Sequence, residues 1–301
     1  KLLEAGCKKS WIREDDAHRR LGSGFTVGNL IVKIPGTRRA TRRMFCGHMD
    51  TVPLCRGAVP VRRGNRIVSK GNTGLGADNR TAVACVVTLA EMLMNHNLSR
   101  PPLTLLFTVG EENGLNGAKA VRKSDLGNPA MGFNIDSGKP AEYLTSAIGA
   151  YRWTAHVHGR SSHAGVHPED GISAVVIVAR AIEKVVDRGF FGKVVKGRQS
   201  GTSNVGSIGG GEASNQVTDY VEVKGECRSH NRAFLDRILA AYRTAFEEAA
   251  GSVINAAGKA GRVVFRASHD YDSFSLARNS PVTVFAMKAA RAAGFKPLCK
   301  R

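Results

Sequence analysis

Residues 103–118 read LTLLFTVGEENGLNGA, and this stretch decides the fold class. The run from Leu103 to Val109 is almost continuously apolar, a pattern typical of a parallel strand that is buried on both faces. Two adjacent acids, Glu111 and Glu112, follow directly after a glycine. A buried strand that ends in a Gly-flanked acidic loop is typical of α/β sheets, which carry their chemistry at the carboxyl ends of their strands.

The same arrangement recurs in the first half of the chain. His48 and Asp50 follow an apolar run that starts at Arg43, and Asp136 ends the run GFNID at 132–136. Asp78 lies in a Gly-rich loop that opens a helical pattern over 77–95. With a further short strand at 29–35, the pattern predicts an α/β domain in which helices flank a mixed sheet.

The pattern changes from about residue 147. The predicted order is strand, helix, strand, strand, helix, strand, at 151–158, 171–186, 203–209, 219–226, 232–250 and 261–268. This order is typical of a small ferredoxin-like α+β unit. We therefore expect an inserted domain at 147–272, with 1–146 and 273–301, including a helix at 281–293, forming the other domain.

The histidine and the acids at the strand ends form a set of nitrogen and oxygen donors without a thiolate. Such a set suits zinc, cobalt or manganese. A pair of metal ions needs one bridging carboxylate, terminal ligands and a separate base, and the set has enough members. Each residue alone has an ordinary explanation: a structural histidine, a solvated Glu-Glu turn, or an Asp that caps a helix. The repetition on several strands favours the metal site.

Composition limits the remaining possibilities. The net charge is +19, but the basic residues are spread over short clusters without a nucleic-acid-binding motif, so we do not expect a nucleic-acid partner. No apolar run is long enough to span a membrane, and no leader sequence is evident, so we expect a cytoplasmic protein without a membrane partner. The six cysteines form no C-x-x-C pair, which argues against a disulfide framework or a zinc knuckle.

Seven motifs, in order along nearly the whole chain, resemble those of the M20 metallopeptidase family, and most closely its peptidase T-like branch. They are GHMDTVP, GLGADNRTAVA, GEENGLNGAKA, NIDSG, GRSSHAGVHPEDGISA, GGGEASNQVTDYVEVKGECRSHN and YDSF. The resemblance implies a catalytic domain with two zinc ions per subunit, with Co²⁺ or Mn²⁺ as alternatives. It also implies that 147–272 is a lid domain that forms a homodimer.

The resemblance also implies roles for single residues of the metal site. His48 and Asp136 would be terminal ligands of one metal, Asp78 would bridge, and Glu112 would bind the second metal. Glu111 would be the general base. Asp50 would orient the His48 ring without binding metal itself.

Three lid residues would contact the substrate if the resemblance holds. His163 would stabilise the oxyanion in a neighbouring subunit, Arg228 would bind the terminal carboxylate of the substrate, and Asn215 would add a polar contact. Without the resemblance, ordinary strand or turn positions in a small α+β domain explain all three residues.

The sequence departs from the family pattern at several places. A GG-x-D-A-N loop and the histidine after it, which complete the second metal site in the family, are not found in these residues. Both ends resemble cuts, and we expect the second metal site to be weakened. Asn79 stands where many relatives have a second acid, and Lys70 where an acid is common.

These observations predict an aminopeptidase that hydrolyses tripeptides or other short peptides by means of a metal-bridged water. An M20-type carboxypeptidase or an N-acyl amino acid deacylase is the alternative within the same chemistry. A catalytically silent dimeric binding protein is the alternative outside it.

Overall fold

The computed structural model describes residues 1–22, 24–136 and 138–300. The chain divides into two compact units, Lys1–Pro140 and Ala141–Arg301. Among the described residues, no helix is both long and apolar enough to cross a membrane.

The first unit is built on a mixed five-stranded sheet with the strand order β1-β2-β6-β3-β7. Strand β6 runs antiparallel to β2 and parallel to β3, and β3 runs parallel to β7. Among the described residues, a separate hairpin, β4-β5, and the α-helices α1, α2 and α3 also belong to this unit. The bounds are β1 Ile12–Glu14, α1 Ala17–Leu21, β2 Leu30–Ile34, β3 Arg43–His48, β4 Pro60–Arg63, β5 Arg66–Ser69, α2 Ala77–Asn95, β6 Leu103–Thr108, α3 Asn116–Ala120 and β7 Met131–Asn134.

Strand β6 is the centre of this sheet. All its residues are buried, which agrees with the double-sided burial that the run of apolar residues predicts. Helix α2 covers one face, and its buried residues Val86, Ala90 and Leu93 pack in one cluster with the side chains of β2 and β6. The apolar burial holds three parallel strands side by side, so their carboxyl ends lie at one edge.

The second unit contains a five-stranded antiparallel sheet with the order β11-β12-β13-β10-β14. Without the edge strand β11, the order of strands and helices is the ferredoxin-like one that the sequence predicts. Helices α4 and α5 pack on the sheet face that carries Trp153 and Val223. The bounds are β10 Gly149–His158, α4 Ala174–Asp187, β11 Gly192–Lys196, β12 Gln199–Gly210, β13 Tyr220–Ser229, α5 Arg232–Ser252 and β14 Arg262–Tyr271. The predicted fold class is therefore confirmed.

Further short elements belong to the second unit. Strands β9 (Ser146–Ala147) and β15 (Phe274–Ser275) pair antiparallel, and β8 (Glu142–Leu144) pairs parallel with β16 (Leu298–Lys300). Helix α6 (Pro281–Ala292) lies between β15 and β16 in the chain. We predicted that 273–301 forms one domain with 1–146. The described part of 273–301 pairs with residues 142–147, around the end of the segment 1–146, and the predicted division into domains stays a prediction.

Candidate metal centre

The parallel strands of the first unit place the predicted site residues at one edge of the sheet. His48 is the last residue of β3 and lies opposite Thr108, the last residue of β6. Glu111 and Glu112 follow β6, and Asp136 follows β7 by two residues. Asp78 is added from the first turn of α2. Because these segments end at the same edge, residues far apart in the sequence become neighbours.

Two overlapping groups of side chains share His48. The ligand atoms of His48, Asp78 and Asp136 all lie within 4.8 Å of one another, and the same holds for His48, Glu111 and Glu112. His48 Nε2 lies 3.0 Å from Asp78 Oδ1 and 3.8 Å from Glu111 Oε2. The structure thus brings together the predicted ligands and the predicted base.

The chemistry of these atoms fits a divalent cation. His48 Nδ1 lies 3.0 Å from the backbone oxygen of Asp50, which can only accept, so Nδ1 carries the hydrogen. In a neutral ring, Nε2 is then a hydrogen-bond acceptor. The carboxylate oxygen of Asp78 that it faces is also an acceptor, so the two atoms repel each other. A proton or a metal ion shared by the two atoms resolves this contact. One imidazole and several carboxylates are ligands that zinc, cobalt and manganese accept.

The carboxylates around His48 give the site an excess of negative charge. Burial by itself lowers the pKa of His48, but the hydrogen bond to Asp78 and the charges of Asp50 and Glu111 outweigh it, and the pKa of His48 is raised. Burial raises the pKa of Glu111; His48 lowers it, whereas Asp136, Glu112 and Asp50 raise it further. Burial also raises the pKa of Cys46 to about 11, so this neighbouring thiol is neutral near pH 7.

Asp50 connects the histidine to the glutamate loop. Its Oδ1 accepts from the backbone N–H of Glu111 and its Oδ2 from that of Glu112, each at 3.1 Å. Oδ1 also lies 3.5 Å from His48 Nδ1, farther than the backbone oxygen of Asp50 itself. We predicted only that Asp50 orients the histidine. The contacts add that its carboxylate fixes the backbone that carries both glutamates.

Asn79 holds the loop of Asp78 against β7. The backbone of Asp78 and Asn79 is not helical, although both lie within the bounds of α2, and the peptide bond between them is cis. The buried side chain of Asn79 donates to the backbone oxygen of Ile135 at 2.7 Å and accepts from the N–H of Ala82 at 3.2 Å. An aspartate could not make the first bond without a proton. The unusual Asn79 therefore has a structural explanation next to Asp136.

A second buried network was not predicted from the sequence. Asn29 is fully buried and donates to Asp15 Oδ2 at 2.9 Å and to the backbone oxygen of Gly117 at 3.0 Å. Its Oδ1 accepts from the N–H of Val109 at 3.2 Å. These bonds fix both sides of the loop that carries Glu111. Asn29 is the first residue of an ordinary strand pattern, so the sequence offers no signal for this role.

The three predicted substrate contacts lie in the second unit. His163 and Asn215 are exposed and close in the fold, because the N–H of Ala164 donates to the backbone oxygen of Asn215 at 2.9 Å. Arg228 lies on β13, where its guanidinium makes two 2.9 Å hydrogen bonds to the carboxylate of Glu226. Their roles in substrate binding stay predictions.

Comparisons with known proteins agree with this architecture. Residues 145–254 match the peptidase dimerisation domain of M20 peptidases, and residues 29–168 match peptidase family M28. The crystal structure of aminopeptidase PepT from Bacillus cereus superimposes with a TM-score of 0.86 at 31% identity, covering 100% of this chain and 76% of that chain. The chain belongs to the M20 peptidase family.

Two further relatives of this M20 peptidase are similar over most of its length. A tripeptidase structure from Staphylococcus aureus has a TM-score of 0.86 and 26% identity, covering 99% of this chain and 75% of that chain. The uncharacterized protein YqjE of Bacillus subtilis is 33% identical over 284 residues, which are 94% of this chain and 72% of YqjE.

Replacing Asn79 tests the link between α2 and β7. We expect Asn79→Ala to lower the free energy of unfolding by about 1–3 kcal/mol, because the backbone oxygen of Ile135 loses its donor in a buried site. Asn95→Ala removes the same side chain from an exposed position at the end of α2, and we expect a change of about 0.5 kcal/mol or less. Urea unfolding in metal-free buffer measures both. Equal costs would contradict the role of Asn79.

Proposed function

We propose that this chain is a metal-dependent aminopeptidase that hydrolyses tripeptides or other short peptides. The observation that carries the proposal is the convergence of one imidazole and several carboxylates at the sheet edge. Similarity to a PepT aminopeptidase and to a tripeptidase supports the substrate class. His48, Asp78, Glu112 and Asp136 would hold the metal, which we propose to be zinc, with cobalt or manganese as alternatives.

Glu111 is suited to the work of a general base. When bound, zinc supplies Lewis acidity toward the peptide carbonyl and toward water. Glu111 would accept a proton from the attacking water and deliver it to the departing amine. Its Oε2 lies 3.8 Å from His48 Nε2, so the carboxylate borders the proposed metal site. Burial raises the pKa of Glu111, which makes it a stronger proton acceptor than a fully solvated glutamate.

The second unit would supply the contacts to the rest of the peptide. We propose that Arg228 binds the terminal carboxylate of the substrate, that His163 stabilises the oxyanion in a neighbouring subunit, and that Asn215 adds a polar contact. Glu226 already holds the Arg228 guanidinium through two hydrogen bonds and so fixes its plane. A guanidinium with a fixed plane loses less conformational entropy when it binds a second carboxylate.

Hydrolysis of matched peptides tests the proposed activity. We expect zinc-loaded protein to release the amino-terminal residue of Ala-Ala-Ala and to leave N-acetyl-Ala-Ala-Ala intact, with the activity lost on chelation and restored by zinc. Glu111→Gln should lower the rate by about 100-fold or more, because general-base catalysis contributes about 10²- to 10⁴-fold. Mass spectrometry of the products and zinc analysis of each variant are the measurements.

This hydrolysis test has one control variant and several outcomes that would contradict the aminopeptidase proposal. Glu91→Gln neutralises an exposed glutamate of α2 and should keep the full rate. Release of acetate would indicate a deacylase, and release of the carboxyl-terminal residue a carboxypeptidase. Zinc-loaded protein that hydrolyses none of these peptides would contradict the proposal and favour a silent binding protein.

We also propose that the second unit forms a homodimer. Helix α4 is apolar on two sides: one side is buried in the core, and Val175, Ala179, Ile182 and Val186 form a second stripe at helical spacing. Val175 and Val186 are each 51% exposed. A helix that is apolar on its outer face is typical of a buried element. Strand β11 ends beside the end of α4, because its last residue, Lys196, donates from Nζ to the backbone oxygen of Arg188 at 2.8 Å. Since β11 is an edge strand of its sheet, it also offers unpaired backbone groups.

A charge on the α4 stripe should separate the dimer. We expect Val186→Glu to sediment as a monomer at concentrations where the unchanged protein is a dimer, because the carboxylate would be buried without a partner. Val284→Glu alters a valine of α6 that is 50% exposed and should leave the dimer intact. Analytical ultracentrifugation measures all three proteins. A dimer that survives Val186→Glu would rule out this interface.

A further inference from the structure

A cavity of about 460 Å³ lies beside Glu112 in the first unit. The segment after β3 forms one wall and includes Thr51, Cys55 and Arg56, while Arg80 of α2 and Asn113 line other sides. The volume is within the range of about 300–1,000 Å³ that is usual for small-molecule sites. Since Glu112 is a proposed metal ligand, the cavity borders the proposed site of hydrolysis.

Two guanidinium groups give the cavity a positive wall. Arg56 and Arg80 are both exposed, and neither forms an ion pair with a carboxylate in the part of the chain that the structure describes. Arg80 is positioned by a 3.0 Å hydrogen bond from Nη1 to the backbone oxygen of Leu75. Glu112 is the acid on the cavity wall, and the proposed metal would take up its charge. A carboxylate in this cavity would therefore meet unused N–H donors.

The surroundings of the cavity add to its positive potential. Residues 51–80 include six basic residues and one acid, Asp78, which is itself a proposed metal ligand. Four of the basic residues belong to the β4-β5 hairpin or directly follow it: Arg62, Arg63, Arg66 and Lys70. Two backbone hydrogen bonds, Lys70 N to Val59 O at 2.8 Å and Gly74 N to Leu54 O at 3.1 Å, join the chain after the hairpin to residues that are next in sequence to the cavity lining. Clustered charge of one sign attracts ligands of the other sign.

We propose that this cavity is a subsite for a carboxylate of the peptide substrate, carried by an aspartate or glutamate side chain. Arg56 and Arg80 bind that carboxylate, and the neighbouring hairpin steers acidic peptides toward it. The inference rests on the proposed peptidase function, because it names a substrate class for the same site. The terminal carboxylate of a peptide has the same chemistry, so the test must separate the two sources.

Matched tripeptides separate the sources of the carboxylate. The unchanged protein is compared on Ala-Ala-Ala, on the three tripeptides with one glutamate, and on the carboxyl-terminal amide of each. We expect one glutamate position to raise kcat/KM by about tenfold over Ala-Ala-Ala, as one charged hydrogen-bonded pair allows, and the amides to keep that ratio. In the double variant Arg56→Gln, Arg80→Gln, the ratio should fall toward one. Arg19→Gln, which alters an exposed arginine of α1 outside both the cavity lining and the hairpin, should keep the tenfold ratio.

Calorimetric titration of the zinc-loaded protein with the same tripeptides, carried out with Glu111→Gln to prevent hydrolysis, separates this proposal from the proposed function. The peptidase proposal fails and the subsite stands if three results are found together. The protein with Glu111 unchanged hydrolyses no peptide, the glutamate tripeptide still binds more tightly than Ala-Ala-Ala in the titration, and the double variant loses that preference. A preference that the double variant retains, or no preference in either assay, overturns the subsite. If amidation of Ala-Ala-Ala weakens binding to the unchanged arginine pair but not to the double variant, the cavity binds the terminal carboxylate, and the side-chain assignment is overturned.

Discussion

Carboxylates that crowd one edge of a sheet repel one another, and the first unit is built around this repulsion. Asp78, Asp136, Glu111 and Glu112 surround a single buried histidine, with ligand atoms within 4.8 Å inside each group. Burial lowers the pKa of His48 and raises that of Glu111, and the negative charge of neighbouring carboxylates raises both. A divalent cation supplies the positive charge that this set of donors lacks. The sheet imposes the crowding, because three parallel strands end at the same edge.

Residues that bind no metal in this account hold the donors in place. Asp50 fixes the backbone of both glutamates, Asn79 fixes the loop of Asp78 to β7, and Asn29 fixes the start of the glutamate loop. Each of these side chains joins segments that are distant in the sequence. Their hydrogen bonds place the donors close together in spite of the repulsion, so a metal site built this way is largely organised by the fold.

The sequence predicts the parts of the fold that depend on local pattern. The helix expected at 77–95 has those bounds in the structure, and the apolar run at 103–109 becomes the buried strand β6. The β4-β5 hairpin was missed, because its two short strands, PVRR and RIVS, give only weak alternation, although the Gly64-Asn65 dipeptide between them is a turn signal. The contacts of Asp50 and Asn79 could not be predicted, since they depend on partners about 60 residues away whose register only the folded sheet defines. The edge strand β11 was also missed, although it forms a tight hairpin with β12 in which Lys196 pairs with Gln199.

The most direct test of this account is the position of zinc in crystals of the protein grown with zinc and measured at the zinc absorption edge. The account predicts an anomalous peak that is bounded by Nε2 of His48 and the carboxylates of Asp78 and Asp136. A peak elsewhere in the chain, or no peak at saturating zinc, would contradict the assignment of this sheet edge as the metal centre.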